Sequence, residues 1–212
     1  MHIFRLCFAL LALLSVTARM TAQTSTITRS LSGFEKIAIS GGYDAIVFQE
    51  GDAESVTLEV EKIDPDKIIT EVKGNTLEIR MKKGSYSNFH ARITVTYRRL
   101  NEINNSGSTD LEAKSTIKGA SFELNSSGSG DFKASFDVQK LAINISGSSN
   151  MEVSGRADRQ NYAISGSGDI DADNLSGKEA DVAVSGSGDV RLKVDGPVHT
   201  AVSGSGEVTN TQ

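Results

Sequence analysis

Apolar and polar residues alternate in short segments along most of this chain. A period of two places successive side chains on opposite faces of a strand, so each segment predicts a β-strand with one buried face. In the C-terminal half the clearest segments are 122–124, 141–145, 151–153, 162–164, 182–184, 190–194 and 198–202. In the N-terminal half the predicted strands are 36–40, 56–60, 76–81 and 93–97. The pattern therefore indicates a chain made largely of short strands.

A six-residue motif rich in serine and glycine recurs between these strands. Its six copies begin at Ser106, Ser127, Ser146, Ser165, Ser185 and Ser203, with a spacing of 18 to 21 residues. A period of about 20 residues with alternating flanks is typical of a solenoid, in which each coil buries its apolar face only against its neighbours. The sequence therefore predicts an all-β solenoid with coils of about 20 residues.

The alternation keeps its phase through the motif. In the fifth copy Ser185, Ser187 and Asp189 are predicted to face outward, whereas Gly186 and Gly188 face inward. We expect glycine at the inward positions because the converging walls of a narrow coil leave no room for a side chain there. The motif is thus predicted to be a strand or a gentle corner and not a tight hairpin.

The two glycine positions of the motif differ in what they tolerate. The first is glycine in all six copies, whereas the second is replaced by Thr109 in the first copy and by Ser149 in the third. A β-branched residue resists positive φ, so the second position is predicted to have ordinary extended or turn geometry. Any requirement for positive φ belongs to the first glycine.

The N-terminal half is predicted to contain a degenerate version of the same repeat. The segment Ser40-Gly-Gly-Tyr-Asp-Ala45 aligns with the motif, and residues 64–69 predict a helical turn or a loop. We expect one domain over residues 23–212, with irregular coils over 23–100 and the repeat coils over 101–212.

Residues 1–22 predict a secretory signal peptide. The apolar stretch from Leu6 to Val16 follows a weakly positive start and is followed by small residues at Ala18 and Ala22. Its length of about 11 residues is too short to span a bilayer. We expect cleavage after Ala22, with Ala18 as the alternative, and a protein exported to the periplasm, the cell surface or the medium. The only cysteine, Cys7, lies within this segment, so a disulfide or a cysteine metal site is not expected.

Charge argues against two classes of partner. Removing residues 1–22 takes away two arginines and no acidic residue, which leaves 20 basic and 27 acidic residues. The excess acid lies entirely in residues 101–212, where 16 acidic residues face 9 basic ones. Such a balance disfavours nucleic acid and anionic lipid as partners of the repeats. No further hydrophobic stretch predicts a membrane span.

Several segments together resemble the putative auto-transporter adhesin head (GIN) domain family. They are the opening Gly33-Phe-Glu-Lys-Ile37, Ser40-Gly-Gly-Tyr-Asp44, Gly74-Asn-Thr-Leu-Glu-Ile79 and the repeated Ser-Gly-Ser-Gly-Asp. The resemblance extends from about Ser32 to the end of the chain. It implies a right-handed parallel β-helix of the bacterial envelope, and it carries over no established catalytic residue. The chain departs from the motif at Thr109, Ser149, Asn150 and Glu207.

The acidic residue of each motif raises the question of calcium. Calcium-binding nonapeptides on parallel β-rolls are also rich in glycine and aspartate, but they recur every nine residues in tandem. Here single motifs lie about 20 residues apart, and Asn150 interrupts the row between Asp131 and Asp169. Asparagine keeps the acceptor oxygen and loses the charge. The row is therefore predicted to bond to backbone N–H groups, and neither a metal nor a cofactor is expected.

An enzyme on the same scaffold is the alternative function. Parallel β-helices include polysaccharide lyases and hydrolases, which need clustered carboxylates or basic residues in a groove. Asp171, Asp173 and Asp181 could meet on one wall, but outward charged residues are ordinarily solvated. His90 and His199 have no partner motif. Fold analogy alone does not establish catalysis, so no catalytic residue is assigned.

Asparagines occupy one repeat position in the early coils. Asn104, Asn125 and Asn144 each begin an Asn-x-Ser sequon, as does Asn174 elsewhere in the repeat. The same position becomes Ala163, Ala183 and Ala201 in the later coils. An asparagine ladder explains this arrangement more simply than glycosylation does.

The sequence thus favours a secreted or surface-exposed adhesin, binding or structural module without catalysis. Its partner would be a glycan, an envelope or extracellular protein, or a second copy of the chain. The candidate ligand-facing ladder consists of the third and fifth motif positions: Ser108, Asp110, Ser129, Asp131, Ser148, Asn150, Ser167, Asp169, Ser187, Asp189, Ser205 and Glu207.

Overall fold

The computed structural model describes residues 24–211, so the predicted signal peptide lies outside the described residues. The strands are β1 (Ser25–Ser30), β2 (Lys36–Ser40), β3 (Gly42–Glu50), β4 (Ser55–Glu61), β5 (Ile68–Lys73), β6 (Thr76–Met81), β7 (His90–Tyr97), β8 (Glu102–Asn105), β9 (Ser108–Ala113), β10 (Ile117–Ser126), β11 (Phe132–Ile145), β12 (Met151–Gly166), β13 (Ile170–Gly177), β14 (Glu179–Gly186), β15 (Val190–Val194), β16 (Val198–Gly204) and β17 (Val208–Asn210). A short 3-10 helix spans Pro65–Lys67. The predicted all-β class is confirmed.

Parallel pairing between successive coils builds three walls. Wall A stacks β6, β2, β8, the C-terminal parts of β10, β11 and β12, and then β14 and β16. Wall B stacks β7, β3, β9, the N-terminal parts of β11 and β12, and then β13, β15 and β17. Wall C contains 117–119, 136–138, 155–157, 174–177 and 193–194. The predicted parallel β-solenoid with coils of about 20 residues is confirmed.

Inward residues of the three walls form one continuous core. On β14 the alternation is strict, because Val182 and Val184 are buried while Asp181 and Ala183 are exposed. Buried phenylalanines contribute to this core, and the rings of Phe122 and Phe136 lie 5.1 Å apart. Each coil therefore stabilises the next by burying apolar area between stacked layers, as expected for a solenoid.

A buried polar pair lies inside this core. Gln160 and Tyr162 are almost fully buried, and the Tyr162 hydroxyl donates to Gln160 Oε1 at 3.0 Å. Gln160 Nε2 in turn donates to the carbonyl oxygen of Leu175 at 3.2 Å. Burial raises the pKa of Tyr162, so the hydroxyl stays protonated and keeps its role as donor.

The N-terminal end differs from a plain series of coils. β1 pairs antiparallel with β4, β4 pairs antiparallel with β7, and β5 forms an antiparallel hairpin with β6. In addition, the coil formed by β6 and β7 lies outside the coil formed by β2 and β3, against chain order. The interpretation of the N-terminal half as a degenerate repeat holds for these two coils. It is wrong for β1, β4 and β5, which cover the end of the core.

The predicted strands of the N-terminal half are all present. β2 and β6 match their predicted bounds, and β4 and β7 extend beyond theirs. The segment predicted as a helical turn or a loop forms the 3-10 helix and then enters β5. Within residues 24–211 no helix has the length and apolarity to cross a membrane.

Candidate functional site

The repeated motif forms the corner between wall A and wall B. In the fifth copy the first two residues end β14, and Val190 begins β15. Ser185, Ser187 and Asp189 are exposed, Gly186 is half-buried, and Gly188 and Val190 are buried. The predicted phase through the motif is therefore confirmed, and each coil presents two serine hydroxyls and one acidic or amide side chain at this corner.

The first glycines of the motif stack directly on one another. A Cβ atom built on Gly186 would lie less than 3.0 Å from the carbonyl oxygen of Gly166, and one on Gly166 would meet Gly147 in the same way. The column continues through Gly107 down to Gly41, which confirms the alignment of 40–45 with the motif. The lack of room is thus real, but its predicted cause is wrong. The backbone of the preceding coil, and not a converging opposite wall, excludes a side chain.

Positive φ occurs at both glycine positions of the motif, but not in every copy. Among first glycines φ is +151° at Gly166, +142° at Gly186 and +133° at Gly204. Thr109 and Ser149 have ordinary φ, as predicted for the second position, whereas Gly130 at that position has a φ of +130°. The assignment of positive φ to the first glycine therefore holds for Gly41, whose φ is +116°, and for the three later copies, but not for Gly107, Gly128 and Gly147.

The acidic row joins adjacent coils through backbone hydrogen bonds. The amide of Asp131 donates to Asp110 Oδ1 at 3.0 Å, and that of Asp189 donates to Asp169 Oδ1 at 2.8 Å. Asn150 serves in the same way, since its Oδ1 accepts from the amide of Asp169 at 3.4 Å. The predicted bonding to backbone N–H groups is confirmed. Asp110, Asn150, Asp169 and Asp189 thus each accept a hydrogen bond from the backbone amide at the same motif position of the following coil.

This geometry predicts how the row responds to substitution and to calcium. Asp169→Asn should change the free energy of unfolding little, because the acceptor oxygen remains, whereas Asp169→Ala should cost about 1 kcal/mol. Millimolar calcium should leave the melting temperature nearly unchanged. A site held at 100 times its dissociation constant would instead add about 2.7 kcal/mol. Urea unfolding and thermal melts test both points, and a chelator-reversible shift that Asp169→Asn abolishes would contradict them.

No cluster of three or more metal-ligating side chains occurs within residues 24–211. The acidic side chains of the row lie one coil apart, and strands in a sheet are about 4.8 Å apart. At that distance two carboxylates in water repel by about 1 kcal/mol before screening, which the backbone hydrogen bonds can offset.

The asparagine ladder predicted for the early coils is present on wall A. Asn125 Nδ2 donates to Asn104 Oδ1 at 3.0 Å, and Asn144 Nδ2 donates to Asn125 Oδ1 at 2.8 Å. The parallel register places Ala163, Ala183 and Ala201 in the same outward column of the later coils. Between β8 and β16 the column therefore changes from amide to methyl side chains.

Three adjoining clefts lie along this column. The first, of about 510 Å³, contains the asparagines together with Ser106, Ser127, Ser146, Glu78 and Arg80. The second, of about 640 Å³, contains the alanine part of the column and the first motif serines Ser165, Ser185 and Ser203. The third, of about 370 Å³, continues the alanine part towards Asn161, Asp181 and His199. Asn144 lines all three clefts.

Charge is distributed differently on walls A and B. On wall A the asparagine/alanine column and the adjacent serine column carry no charged residue between 104 and 203. One outward column of wall B is charged in five successive coils, from Glu112 to Arg191. Its pairs Lys133 with Glu152 and Arg191 with Asp171 are 2.6 and 2.9 Å apart. A ligand that covers these two columns of wall A therefore costs less hydration free energy than one that covers the charged column of wall B.

Ion pairs at the N-terminal end of wall A place charged side chains next to the first cleft. The Lys36 ammonium, which donates to Glu102 Oε2 at 2.6 Å, keeps the pKa of that carboxyl below its usual value, and Asn104 adds to the effect. Arg80 donates to Glu71 at 2.8 Å, which raises the pKa of the guanidinium. These groups stay charged at neutral pH, so the first cleft is polar at this end.

The third and fifth motif positions all lie at the corner that borders wall A. The residues of the predicted ladder are exposed from Ser108 to Glu207. The prediction did not include the asparagine/alanine column as a site, because that column was assigned a structural role. The signal for this site in the sequence is that the outward residues of the column are small and uncharged. Asp171 and Asp173 lie on wall B with Arg191, apart from Asp181 on wall A.

These features define a parallel β-solenoid domain with a neutral face beside a repeated polar corner. Residues 33–211 match the family described as putative auto-transporter adhesin, head GIN domain. The chain belongs to this family, which supports a role in adhesion or binding. The resemblance inferred from the sequence is confirmed.

Solved structures show the same fold at low sequence identity. An adhesin-like protein of Bacteroides fragilis, described as a putative adhesin, has a TM-score of 0.75 at 22% identity and is matched over 90% of this chain and 98% of its own. A Parabacteroides distasonis protein described as a putative lipid binding protein has a TM-score of 0.64 at 21% identity, over 89% and 97% of the two chains. A putative adhesin of the same species has a TM-score of 0.64 at 20% identity, over 90% and 98%. No curated protein matches the chain.

Proposed function

We propose that this protein is an exported adhesin domain of the bacterial envelope that binds its partner across wall A and does not catalyse a reaction. The observation that carries the proposal is the pair of neutral outward columns that runs over three adjoining clefts. Binding sites are usually concave and mostly apolar, with a few polar groups that fix orientation. The alanine part supplies apolar area, and the asparagines and serines supply donors and acceptors.

The motif corner is proposed as the polar border of this face. Its serine hydroxyls and its acidic or amide groups repeat once per coil, at the strand spacing of about 4.8 Å. The backbone hydrogen bonds of the acidic row hold the corner rigid, which lowers the entropy lost on binding. A glycan chain or an extended protein segment that runs along the solenoid axis would meet the same groups in every coil.

Export rests on the predicted signal peptide, and the envelope location rests on the family. The partner is proposed to be a glycan or an envelope or extracellular protein. Nucleic acid is not favoured, because the repeats carry an excess of acidic residues.

A binding screen followed by a matched pair of variants tests the proposal. The mature protein would be screened against arrays of glycans and of envelope proteins, and affinity for any ligand found would be measured by calorimetry. Ala163→Arg fills the second and third clefts and should weaken binding about tenfold or more, which is about 1.4 kcal/mol. Ser121→Arg adds the same charge at an exposed position outside these clefts and should have little effect.

Two outcomes would contradict the proposal. Equal loss of affinity in the two variants would mean that the ligand does not lie on wall A. Cleavage of a bound glycan, detected by mass spectrometry, would favour the carbohydrate-active enzyme.

A further inference from the structure

The last described coil leaves its inward residues uncovered. Val202 is 46% exposed, whereas Val184 and Ile164, which precede it in the same inward column, are each 2% exposed. Within residues 24–211, β16 pairs only with β14 and β17 pairs only with β15. This end of the solenoid therefore presents apolar side chains together with an open sheet edge.

The free backbone groups of this edge can be assigned to particular residues. The amide of Ser205 donates to the carbonyl oxygen of Gly186 at 2.9 Å, and the amide of Ala180 donates to that of Pro197 at 3.1 Å. In a parallel strand, successive residues direct their N–H and C=O groups to opposite sides. Positions 199, 201 and 203 therefore face β14, and Thr200, Val202 and Gly204 direct theirs away from the solenoid.

The open edge lacks the features that normally keep edge strands apart. Natural sheets protect such edges with charged residues, proline, bulges or a covering element. β16 contains no lysine, arginine, aspartate or glutamate. At the opposite end the outermost strands β1 and β5 carry Arg29, Glu71 and Lys73, and the core beneath them is covered, since Leu58 and Ile68 are fully buried. The C-terminal end of the solenoid thus has an open edge without charged residues, whereas the N-terminal end is covered by strands that carry charges.

We propose that two copies of this chain associate through these open ends, with β16 of one copy pairing antiparallel with β16 of the other. A two-fold axis through Ala201 would place Thr200 of each copy opposite Val202 of its partner copy, so the outward N–H and C=O groups of both strands would be satisfied. The same axis brings the two uncovered core ends together. Such an interface is closed by its symmetry.

Charge favours a second copy as the occupant. Two identical edges meet without like-charge repulsion only when they are neutral, and β16 meets that condition. Head-to-tail stacking is disfavoured because the N-terminal end is covered by antiparallel strands that carry charges. The coil from 195 to 211 supplies 17 residues, slightly fewer than the about 20–30 per side of a standard interface. The dimer should therefore dissociate on dilution.

Sedimentation of the mature protein across a dilution series tests this inference. We expect a reversible monomer–dimer equilibrium in the micromolar range. Hydrogen exchange should show the amides of Thr200, Val202 and Gly204 becoming protected as the protein concentration rises. Amides of β14 should be unaffected by concentration, because they are bonded within one copy.

A matched pair of lysine variants locates the interface. Val202→Lys places a charge at the uncovered end and should raise the dimer dissociation constant at least tenfold. Ser121→Lys adds the same charge at an exposed position of β10, outside the three clefts, and should leave association unchanged. A protein that is monomeric at every concentration would overturn the proposal. So would a dimer that Val202→Lys leaves intact while the amides of the edge exchange freely.

Discussion

Val184→Asp is expected to unfold the domain, whereas Ala183→Asp should leave its melting temperature nearly unchanged. The two residues are adjacent on β14, but Val184 is 2% exposed in the core and Ala183 is exposed on wall A. An unpaired carboxylate buried in an apolar core costs several kcal/mol. That cost is comparable to the total stability of a typical domain, about 5–15 kcal/mol.

Circular dichroism with thermal and urea unfolding measures this difference. Both variants add the same charge to the same strand, so net charge and strand propensity are controlled. Similar stability of the two proteins would mean that the inward and outward faces of β14 are assigned incorrectly.

Gly186→Ala is expected to cost about 2–6 kcal/mol of unfolding free energy. Two effects add at this position. Its φ of +142° is unfavourable for a residue with a Cβ atom, and strain of this kind costs about 1–3 kcal/mol. The new Cβ atom would also lie within 3.0 Å of the Gly166 carbonyl oxygen, so the coils would have to separate locally, and overpacking costs a further 1–3 kcal/mol.

Gly119→Ala is the control for this prediction. Gly119 lies in the same solenoid, but its φ is not positive and the nearest atom to a new Cβ would be 3.8 Å away. Alanine there should be neutral or stabilise by about 0.4–1 kcal/mol, because it reduces the entropy of the unfolded chain. Equal unfolding midpoints in urea for the two variants would show that the glycine column does not set the approach of the coils.

The repeat explains why much of the corner was predictable. Alternation is a local property, and the phase from Ser185 to Val190 follows from it directly. The substitution of Asn150 in the acidic row was informative for a similar reason. It showed which property of the side chain the site needs, and the bond from the Asp169 amide to Asn150 confirms the acceptor role.

The cause of the glycine column was not predictable in the same way. The sequence indicated that Gly186 has no room for a side chain, but both a narrow coil and a close neighbouring coil would produce that requirement. Only the stacking of Gly186 on Gly166 distinguishes them. The three clefts of wall A were likewise missed, since they depend on how the small residues of several coils line up.

The sequence by itself determined most of the strands, their inward and outward faces and the coil length, because each follows from periodicity within about 20 residues. Tertiary structure decided the direction of β1, β4 and β5 and the order of the first coils. Strand pairing joins segments that are distant in sequence, and an alternating pattern fits a parallel and an antiparallel partner equally well. The pairing that buries the end of the core is the more stable one. Which pairing does so depends on the assembled coils and not on the local sequence.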